Sequence, residues 1–288
     1  MPGRQQITDA EAMRRGYHGE QNARRRAVLA ETLDAFDRSI PRDHYHRMAQ
    51  RNLERWAAQP RESEPTFRIR VLSHDWGVAT ARLTRAYGRC FAVLNMANAY
   101  YPGGGYVEGA VAQEENMFRR TDCHYSVDES QYDPATDRYH ADHTQLLSAA
   151  DGRVYLDTTQ PRVCIRGPED RSRADLGYRW LSDDKVFPFF EMRAAAQDLR
   201  DGRPFDPGET RRRIVAQLDT LSERGIRHVV LGAFGCGAFG NPAAEVAAIY
   251  KSELLERRRA FTMVAFAVFH AGYGPGNHGV FRDVFKRP

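Results

Sequence analysis

The sequence predicts an α/β protein in which helices pack over a largely parallel or mixed sheet. From about residue 67 onward, apolar segments of strand length alternate with amphipathic segments of helix length. Two glycine-rich loops each follow an apolar strand and precede a helix, which is where α/β folds place ligands. With 288 residues and 42% hydrophobic residues, the chain has enough apolar material for a packed core.

The N-terminal part is predicted to be helical. Between residues 21 and 38, Val28, Leu29, Leu33 and Phe36 recur at the spacing of one helical face, with arginines on the other. A second helix is expected at 43–58 with Asp43 as its N-cap, followed by a linker at 60–65. We therefore expect residues 1–62 to form a helical extension packed on a catalytic domain at 63–288.

The alternation of strand and helix then fills the rest of the chain. Strands are predicted at 67–72, 90–95, 154–156, 162–165, 186–190, 228–233 and 261–269. Helices are predicted at 78–87, 112–120, 143–150, 209–224 and 242–258. Residues 122–206 form the least regular stretch.

Composition limits the class of protein. The net charge is +4, and residues 1–60 contain eleven arginines against eight acidic residues, a mild basic bias typical of a solvated helical surface. We expect an anionic small-molecule ligand and neither nucleic acid nor a membrane as partner, since the longest apolar run, 261–269, is half a membrane span. Four widely spaced cysteines without a CxxC pair, and no signal peptide, predict a reducing, cytoplasmic setting.

The first glycine loop lies between a buried strand and a helix, in the segment LNMANAYYPGGGYVEGAVAQEENMFRR. It passes Asn98, turns through three consecutive glycines and enters the helix at Gln113, Glu114 and Glu115. Glycines let backbone N–H groups approach an anion, and the following helix presents its positive end. The loop is predicted to cradle a phosphate group at Gly103, Gly104 and Gly105.

The second glycine loop, LGAFGCGAFGNP, contains GxGxxG as Gly235, Gly237 and Gly240. A dinucleotide-binding fingerprint also needs an acidic residue after the next strand, but that strand ends at Phe269 and His270. Two glycine loops at two strand ends favour one diphosphate held from both sides.

Paired acidic residues follow the first loop and indicate the chemistry. Adjacent helical residues point about 100° apart, so we expect one of Glu114 and Glu115 to address a scissile oxygen while the other holds ribose hydroxyls. A helix N-terminus lowers the pKa of a carboxyl, whereas a general acid needs a raised one, so desolvation by ligand and aromatic neighbours must outweigh the dipole.

Other polar clusters are weaker candidates. The segment HADH, with His140, Asp142 and His143, lacks a third metal ligand at a diagnostic spacing and favours a surface loop, and no metal or cofactor is expected. Cys236 is a possible thiol nucleophile without a recognisable base. Three further sets are ambiguous or structural: His44 to His46 in an amphipathic helix, Tyr100 and Tyr101 as loop packing or pocket lining, and Asp75 as a helix N-cap or, by the family resemblance described next, an acceptor for an adenine amine.

The segment GGG-YVEGAVA-QEE resembles the signature of the microbial-type poly(ADP-ribose) glycohydrolases, a branch of the macrodomain superfamily. GCGAFG is similar to the macrodomain loop that closes over a diphosphate and ribose, LNMAN is similar to the motif whose Asn touches that ribose, and RRAVLAETL resembles the branch's N-terminal helix. The resemblance implies a macrodomain-like three-layer α/β/α core with a mixed sheet and an N-terminal helical extension.

The same resemblance implies roles for individual residues. Glu115 would be the catalytic acid, Glu114 would bind ribose hydroxyls, Gln113 would support the loop and Asn98 would orient the distal ribose. The diphosphate and ribose would contact the two glycine loops, at Gly103, Gly104, Gly105, Gly235, Cys236, Gly237, Ala238, Phe239 and Gly240, with Phe239 packing on the ribose.

The implied activity is release of ADP-ribose from poly(ADP-ribose). Two alternatives remain open from the sequence: hydrolysis of mono-ADP-ribosylated protein, and a non-catalytic module that binds ADP-ribose. The complete QEE argues against the binding module, which has no need of paired acids. A nicotinamide-dinucleotide oxidoreductase is disfavoured by the missing ribose acid.

Overall fold

The computed structural model describes residues 4–60, 66–270 and 276–286. The helices in this part are α1 Asp9–Arg14, α2 Glu20–Asp37, α3 His44–Ala57, α4 Trp76–Tyr87, α5 Gln113–Phe118, α6 Ala141–Leu147, α7 Pro207–Glu223, α8 Ala243–Glu256 and α9 Asn277–Lys286. The strands are β1 Arg68–Leu72, β2 Phe91–Met96, β3 Tyr132–Asp133, β4 Arg138–Tyr139, β5 Tyr155–Leu156, β6 Arg162–Cys164, β7 Phe187–Ala194, β8 His228–Leu231 and β9 Met263–Ala267.

One mixed sheet organises the molecule. Its order is β1-β9-β8-β2-β7-β5, with β6 also paired to β7. The pairs from β1 to β7 along this order are parallel, while β5 and β6 run antiparallel to β7. Because the strands from β1 to β7 are parallel, their carboxyl ends lie along one edge of the sheet.

Helices cover both faces of this sheet. Alternate β2 residues point to opposite faces, as the period of a strand requires. Ala92 and Leu94 belong to a core cluster shared with α7, α8 and Phe281 of α9, whereas Phe91 and Val93 belong to a second cluster shared with α2, α4 and Trp56 of α3. The predicted three-layer α/β/α core with a mixed sheet is therefore confirmed.

The two predicted N-terminal helices are confirmed as α2 and α3. The apolar face of α2 is buried, and Leu29 and Leu33 pack in the core cluster on the α4 face of the sheet. Asp43 occupies the N-cap position of α3, but its carboxylate pairs with Arg47 at 2.6 Å and makes no cap hydrogen bond. The predicted N-cap position is thus confirmed without a cap hydrogen bond from the side chain, and the division at residue 62/63 stays a prediction.

Three short or polar elements escape the sequence patterns. Helix α1 has six residues, too few to show a period, and forms through a capping box between Thr8 and Glu11. Helix α9 buries only Phe281 among the residues described in it. The hairpin β3–β4 has two residues per strand. The predicted linker at 60–65 lies, except for Pro60, outside the described residues.

Strand β7 is longer than the predicted strand at 186–190. It continues through Glu191 and Arg193, which form a buried ion pair at 2.8 Å. Charged residues are rarely buried unless they are paired, so the sequence pattern suggested that the strand ended before them. None of the helices described for this chain is long and apolar enough to cross a membrane.

Candidate active site

The two glycine loops leave neighbouring strands at the same edge of the sheet. Ala92 of β2 pairs with Val229 of β8, and Val93 pairs with Val230, both in parallel register. Neighbouring strands lie about 4.8 Å apart, so both loops start within reach of one small ligand. The loops also touch, because a Cβ on Gly232 would lie 3.1 Å from the Met96 sulfur. This placement agrees with the prediction of one diphosphate held from both sides.

The glycine turn that follows β2 has no room for side chains. Gly103 and Gly104 adopt φ values of +70° and +59°, which L-residues other than glycine rarely adopt. A Cβ on Gly103 would lie 2.5 Å from the Tyr106 ring, and one on Gly105 would lie 2.7 Å from the Ala110 Cβ. The three glycines therefore allow the backbone to pack directly against its neighbours.

Both glutamates of α5 reach this turn. A Cβ on Gly104 would lie 2.5 Å from Glu115 Oε1 and 3.1 Å from Glu114 Oε2. The Gly105 N–H donates to Glu115 Oε1 at 3.1 Å, and the Asn98 N–H donates to Glu114 Oε2 at 2.7 Å. Although the Cα–Cβ bonds of adjacent helical residues diverge, the two carboxyl groups converge on one glycine.

Gln113 ties the start of α5 to the end of β2. Its side-chain oxygen accepts from the Met96 N–H at 2.9 Å, and its amide nitrogen donates to the Leu94 carbonyl at 3.0 Å. The side chain thus takes the place of a neighbouring strand at this point. This contact agrees with a supporting role for Gln113 and fixes the distance between the strand end and the glutamates.

Asn98 organises the loop between β2 and the glycine turn. Its side-chain oxygen accepts from the N–H groups of Tyr100 at 2.8 Å and Tyr101 at 3.0 Å. The two tyrosines are 52% and 38% exposed, and the Arg138 guanidinium lies over both rings. Contact of Asn98 with a ribose stays a prediction, while for the tyrosines the structure favours loop packing.

Burial raises the pKa of both glutamates. For Glu114, 3% exposed, desolvation is the main cause, and the neighbouring Glu115 adds to it. For Glu115, desolvation again dominates and outweighs the Gly105 N–H, which lowers its pKa. Glu114 Oε1 and Glu115 Oε2 are buried without a hydrogen-bond partner in the described part of the chain. Burial by the protein itself therefore shifts both carboxyl groups toward the neutral form.

The second loop has a start that is held by hydrogen bonds and a tip that is exposed. Gly235 has φ +72°, and a Cβ there would lie 2.5 Å from Asn241 Nδ2, which donates to the Gly235 carbonyl at 3.0 Å. Gly237, Ala238 and Gly240 are exposed, and a Cβ on Gly237 or Gly240 would meet no atom of the described residues within 4 Å. The tip therefore has room for a ligand against its backbone.

Phe239 and Cys236 differ in their surroundings. The half-buried Phe239 packs on the core cluster of the α7–α8 face, and the Arg200 guanidinium lies 5.0 Å from its ring centroid. Cys236 is buried in that same cluster, and burial raises the pKa of its thiol to about 12. A protonated, buried thiol does not act as a nucleophile at neutral pH, so the alternative of cysteine chemistry is excluded.

Residues that sequence patterns did not single out also reach the glycine turn. The Arg4 guanidinium, 3% exposed, donates to the Gly104 carbonyl and pairs with Glu108 at 2.7 Å. The Tyr17 hydroxyl would lie 3.4 Å from a Cβ on Gly105. Arg4 and Glu108 are 104 positions apart along the chain, and no periodic pattern signals such a contact.

The weaker candidates have structural explanations. His143 lies on α6 and is buried, with its ring 4.5 Å from that of Tyr139, so the expectation of a surface loop is wrong. Burial lowers the pKa of His143 to about 4. Asp75 caps α4 by accepting from the Val78 N–H at 2.7 Å and pairs with Arg120 at 3.0 Å, which confirms the N-cap alternative. The described residues contain no group of three or more metal-ligating side chains.

Together, the fold and the site define a class of protein. It is a macrodomain-like α/β glycoside hydrolase, with two adjacent carboxyl groups of raised pKa beside two glycine loops at the carboxyl edge of a mixed sheet. The family model described as the microbial-type PARG catalytic domain, PARG being poly(ADP-ribose) glycohydrolase, matches residues 10–155. The chain belongs to this family, whose members are glycoside hydrolases that act on poly(ADP-ribose).

Solved structures support this assignment. Poly(ADP-ribose) glycohydrolase from Thermomonospora curvata is 25% identical, with a TM-score of 0.62 over 91% of this chain and 99% of that one. The enzyme from Deinococcus radiodurans in complex with ADP-ribose is 26% identical, with a TM-score of 0.55 over 85% and 92%. A second Thermomonospora curvata structure, bound to the inhibitor ADP-HPD, is 24% identical with a TM-score of 0.60 over 90% and 98%. No curated protein matches the chain significantly.

Proposed function

We propose that Glu115 is the general acid with which this glycohydrolase cleaves the O-glycosidic bond of poly(ADP-ribose) and releases ADP-ribose. The observation that carries this proposal is the position of the Glu115 carboxyl. One oxygen is held by the Gly105 N–H, the other is buried without a hydrogen-bond partner among the described residues, and burial raises the pKa. A carboxyl whose pKa is raised by burial beside the glycine turn has the property that general acid catalysis needs.

The reaction follows from that protonation state. Glu115 gives its proton to the oxygen that leaves the ribose C1″, and the bond between that carbon and oxygen breaks as oxocarbenium character develops. A water then adds to the same carbon and returns a proton to the Glu115 carboxylate. One water is consumed, and no oxidant, metal or second nucleophile enters the balance.

The surrounding residues are proposed to bind the ADP-ribose unit. The Glu114 carboxyl, oriented by the Asn98 N–H, is available for ribose hydroxyls. The backbone of Gly103, Gly104 and Gly105 and the open tip of the second loop would hold the diphosphate, with Phe239 against the distal ribose. The ADP-ribose complex of the 26% identical Deinococcus radiodurans enzyme supports this ligand.

Product analysis with defined substrates tests the bond preference. We expect free ADP-ribose from poly(ADP-ribose), and little release from protein that carries a single ADP-ribose on arginine, serine or glutamate. Faster release from the singly modified proteins would favour the alternative of a mono-ADP-ribosyl-protein hydrolase. A cytoplasmic setting is part of the proposal, supported by the four free cysteines, and cell fractionation followed by immunoblotting would test it.

A further inference from the structure

The peptide bond between Gly104 and Gly105 is held from two opposite sides. On one side the Gly105 N–H donates to Glu115 Oε1 at 3.1 Å. On the other side the Gly104 carbonyl accepts from the Arg4 guanidinium. In a trans peptide the C=O and N–H bonds point in opposite directions within one plane. Arg4 and Glu115 are therefore connected through a single rigid group.

Arg4 is itself fixed in place. Its guanidinium pairs with Glu108 at 2.7 Å and with Asp137 at 3.0 Å, and the Tyr106 hydroxyl donates to its backbone oxygen at 3.3 Å. The side chain is 3% exposed, so solvent screens these contacts little. A guanidinium has five donors in a planar fork and can serve two carboxylates and a carbonyl together.

The glycine turn needs such a restraint. Glycine adopts many backbone conformations, so a peptide between two glycines rotates at little steric cost. Rotation of the Gly104–Gly105 peptide by half a turn would remove the N–H from Glu115 and present the carbonyl oxygen there instead. A cation on the carbonyl favours the observed orientation, and it polarises the amide so that the N–H is a stronger donor.

We infer that Arg4 is a positioning residue for Glu115, acting through the Gly104–Gly105 peptide. The inference rests on the proposed function, because it assumes that Glu115 performs the chemistry. It also assigns the N-terminal segment before α1 to the active site, although that segment is remote in sequence from both glycine loops.

The pH profile separates this role from a merely structural one. A weaker Gly105 N–H would leave the pKa of Glu115 higher, so loss of Arg4 should move the alkaline limb of the rate profile to higher pH. Other titratable or charged groups also act on Glu115 and must be kept unchanged in the comparison; they are Glu114, Glu108, Arg119, Tyr17 and Arg200.

The test uses three variants of the full chain. Arg4→Met removes the charge and the donors at similar length, and Arg4→Lys keeps a charge without the planar fork. Arg15→Met is the matched control, because Arg15, directly after α1, binds the same Glu108 at 2.7 Å, while its hydrogen bond does not go to Gly104. The measurements are kcat on poly(ADP-ribose) as a function of pH, and thermal unfolding.

We expect Arg4→Met to lower kcat by between about 10-fold and 100-fold, the range associated with a misplacement of about 1 Å, and to move the alkaline limb upward. Arg4→Lys should show the same changes to a smaller extent. Arg15→Met should keep kcat within about twofold, since a half-exposed ion pair contributes little.

Two results would overturn the inference. One is a folded Arg4→Met protein whose kcat and alkaline limb are unchanged. The other is an equal loss of kcat in Arg15→Met, because Arg4 would then only hold the N-terminal segment in place. If Arg4→Met does not fold, Arg4→Lys decides, and parental kcat with an unmoved limb refutes the idea. Glu115→Gln, measured in parallel, separates a failure of the proposed function from a failure of the inference about Arg4. If Glu115→Gln is active, the proposed function is refuted. If Glu115→Gln is inactive while the Arg4 variants keep the kcat of the wild-type protein, only this inference is refuted.

Discussion

Replacement of Glu115 by glutamine removes the transferable proton and little else. The glutamine oxygen can accept the Gly105 N–H in the place of Oε1, now at 3.1 Å, so the glycine turn should keep its shape. The amide nitrogen would take the buried Oε2 position, where the wild-type atom also has no hydrogen-bond partner among the described residues. Because burial already favours the neutral carboxyl, the substitution changes the charge of the site little.

The expected loss follows from these contacts. General acid catalysis contributes about 10²–10⁴-fold, which is about 2.7–5.5 kcal/mol of transition-state stabilisation. Glu115→Gln should therefore lower single-turnover ADP-ribose release from poly(ADP-ribose) by at least about 100-fold. The affinity for ADP-ribose should stay within about threefold, equivalent to ~0.65 kcal/mol.

The assay pairs rapid-quench release of ADP-ribose with calorimetric titration of ADP-ribose. Glu114→Gln is the comparison, because its oxygen can still accept the Asn98 N–H and Glu114 is proposed to bind ribose hydroxyls rather than to give the proton. We expect a milder loss there, although an error of about 1 Å in ribose position also costs about 100-fold. Near-normal turnover by Glu115→Gln on every ADP-ribose substrate would refute the mechanism, whatever Glu114→Gln does.

Three further substitutions test other parts of the site. Gly104→Ala should abolish turnover, because its Cβ would lie 2.5 Å from the Glu115 carboxyl. Gly152→Ala is the control: Gly152 has a φ of +70°, but a Cβ there would meet no atom of the described residues within 4 Å, so this variant should lose only about 1–2 kcal/mol of stability and keep its activity. Equal turnover rates of the two variants would refute the close-approach argument. Phe239→Ala should weaken ADP-ribose binding by about 0.5–1.5 kcal/mol in calorimetry. Phe67→Ala is the control and should not weaken it, because Phe67 packs on the same core cluster at the other end of the sheet. Equal affinities of the two variants for ADP-ribose would remove Phe239 from the site. Glu114→Gln should raise the melting temperature at pH 8 more than at pH 5. The pKa of Glu114 in the folded protein lies above the unfolded value near ~4.3, so the wild-type protein loses stability as the pH rises through the folded pKa, and the glutamine variant does not. A difference in melting temperature that is the same at both pH values would contradict the burial effect.

The parts of the fold that the sequence predicted are those with a local signal. Strand β2 is apolar except for Asn95, and its glycine turn and the following acidic pair lie close together in the chain. Parallel pairing of β2 with β8 then brings the second glycine loop to the same edge. The sequence alone therefore predicts that both glycine loops belong to one site.

The missing parts depend on contacts between distant residues. Strand β7 continues through a pair of buried charges, and only the partners that surround Glu191 and Arg193 make that burial stable. Arg4 reaches the glycine turn because Glu108 and Asp137 hold its guanidinium, and neither partner is near it in sequence. Long-range ion pairs of this kind leave no periodic pattern that a single sequence can display.

The structure and the sequence argument differ in what desolvates the Glu115 carboxyl before substrate binds. The sequence argument needed a ligand and aromatic neighbours to desolvate this carboxyl, since a helix N-terminus favours the charged form. In the structure α5 has only six residues, and burial by the protein outweighs the opposing N–H groups. The free enzyme should therefore already carry the catalytic proton.

This conclusion makes a kinetic prediction. The pH dependence of kcat/KM reports groups of the free enzyme, so its alkaline limb should lie above the value near ~4.3 of an ordinary glutamate. Because Glu115 raises the pKa of Glu114, the two carboxyl groups titrate as a pair, and the limb reports that pair. Glu108→Gln should move the limb to lower pH, because Glu108 is a neighbouring charge that raises the pKa of Glu115. A limb of kcat/KM at the ordinary glutamate value, with a limb of kcat at higher pH, would mean that substrate binding supplies the desolvation and that the free enzyme does not hold the proton.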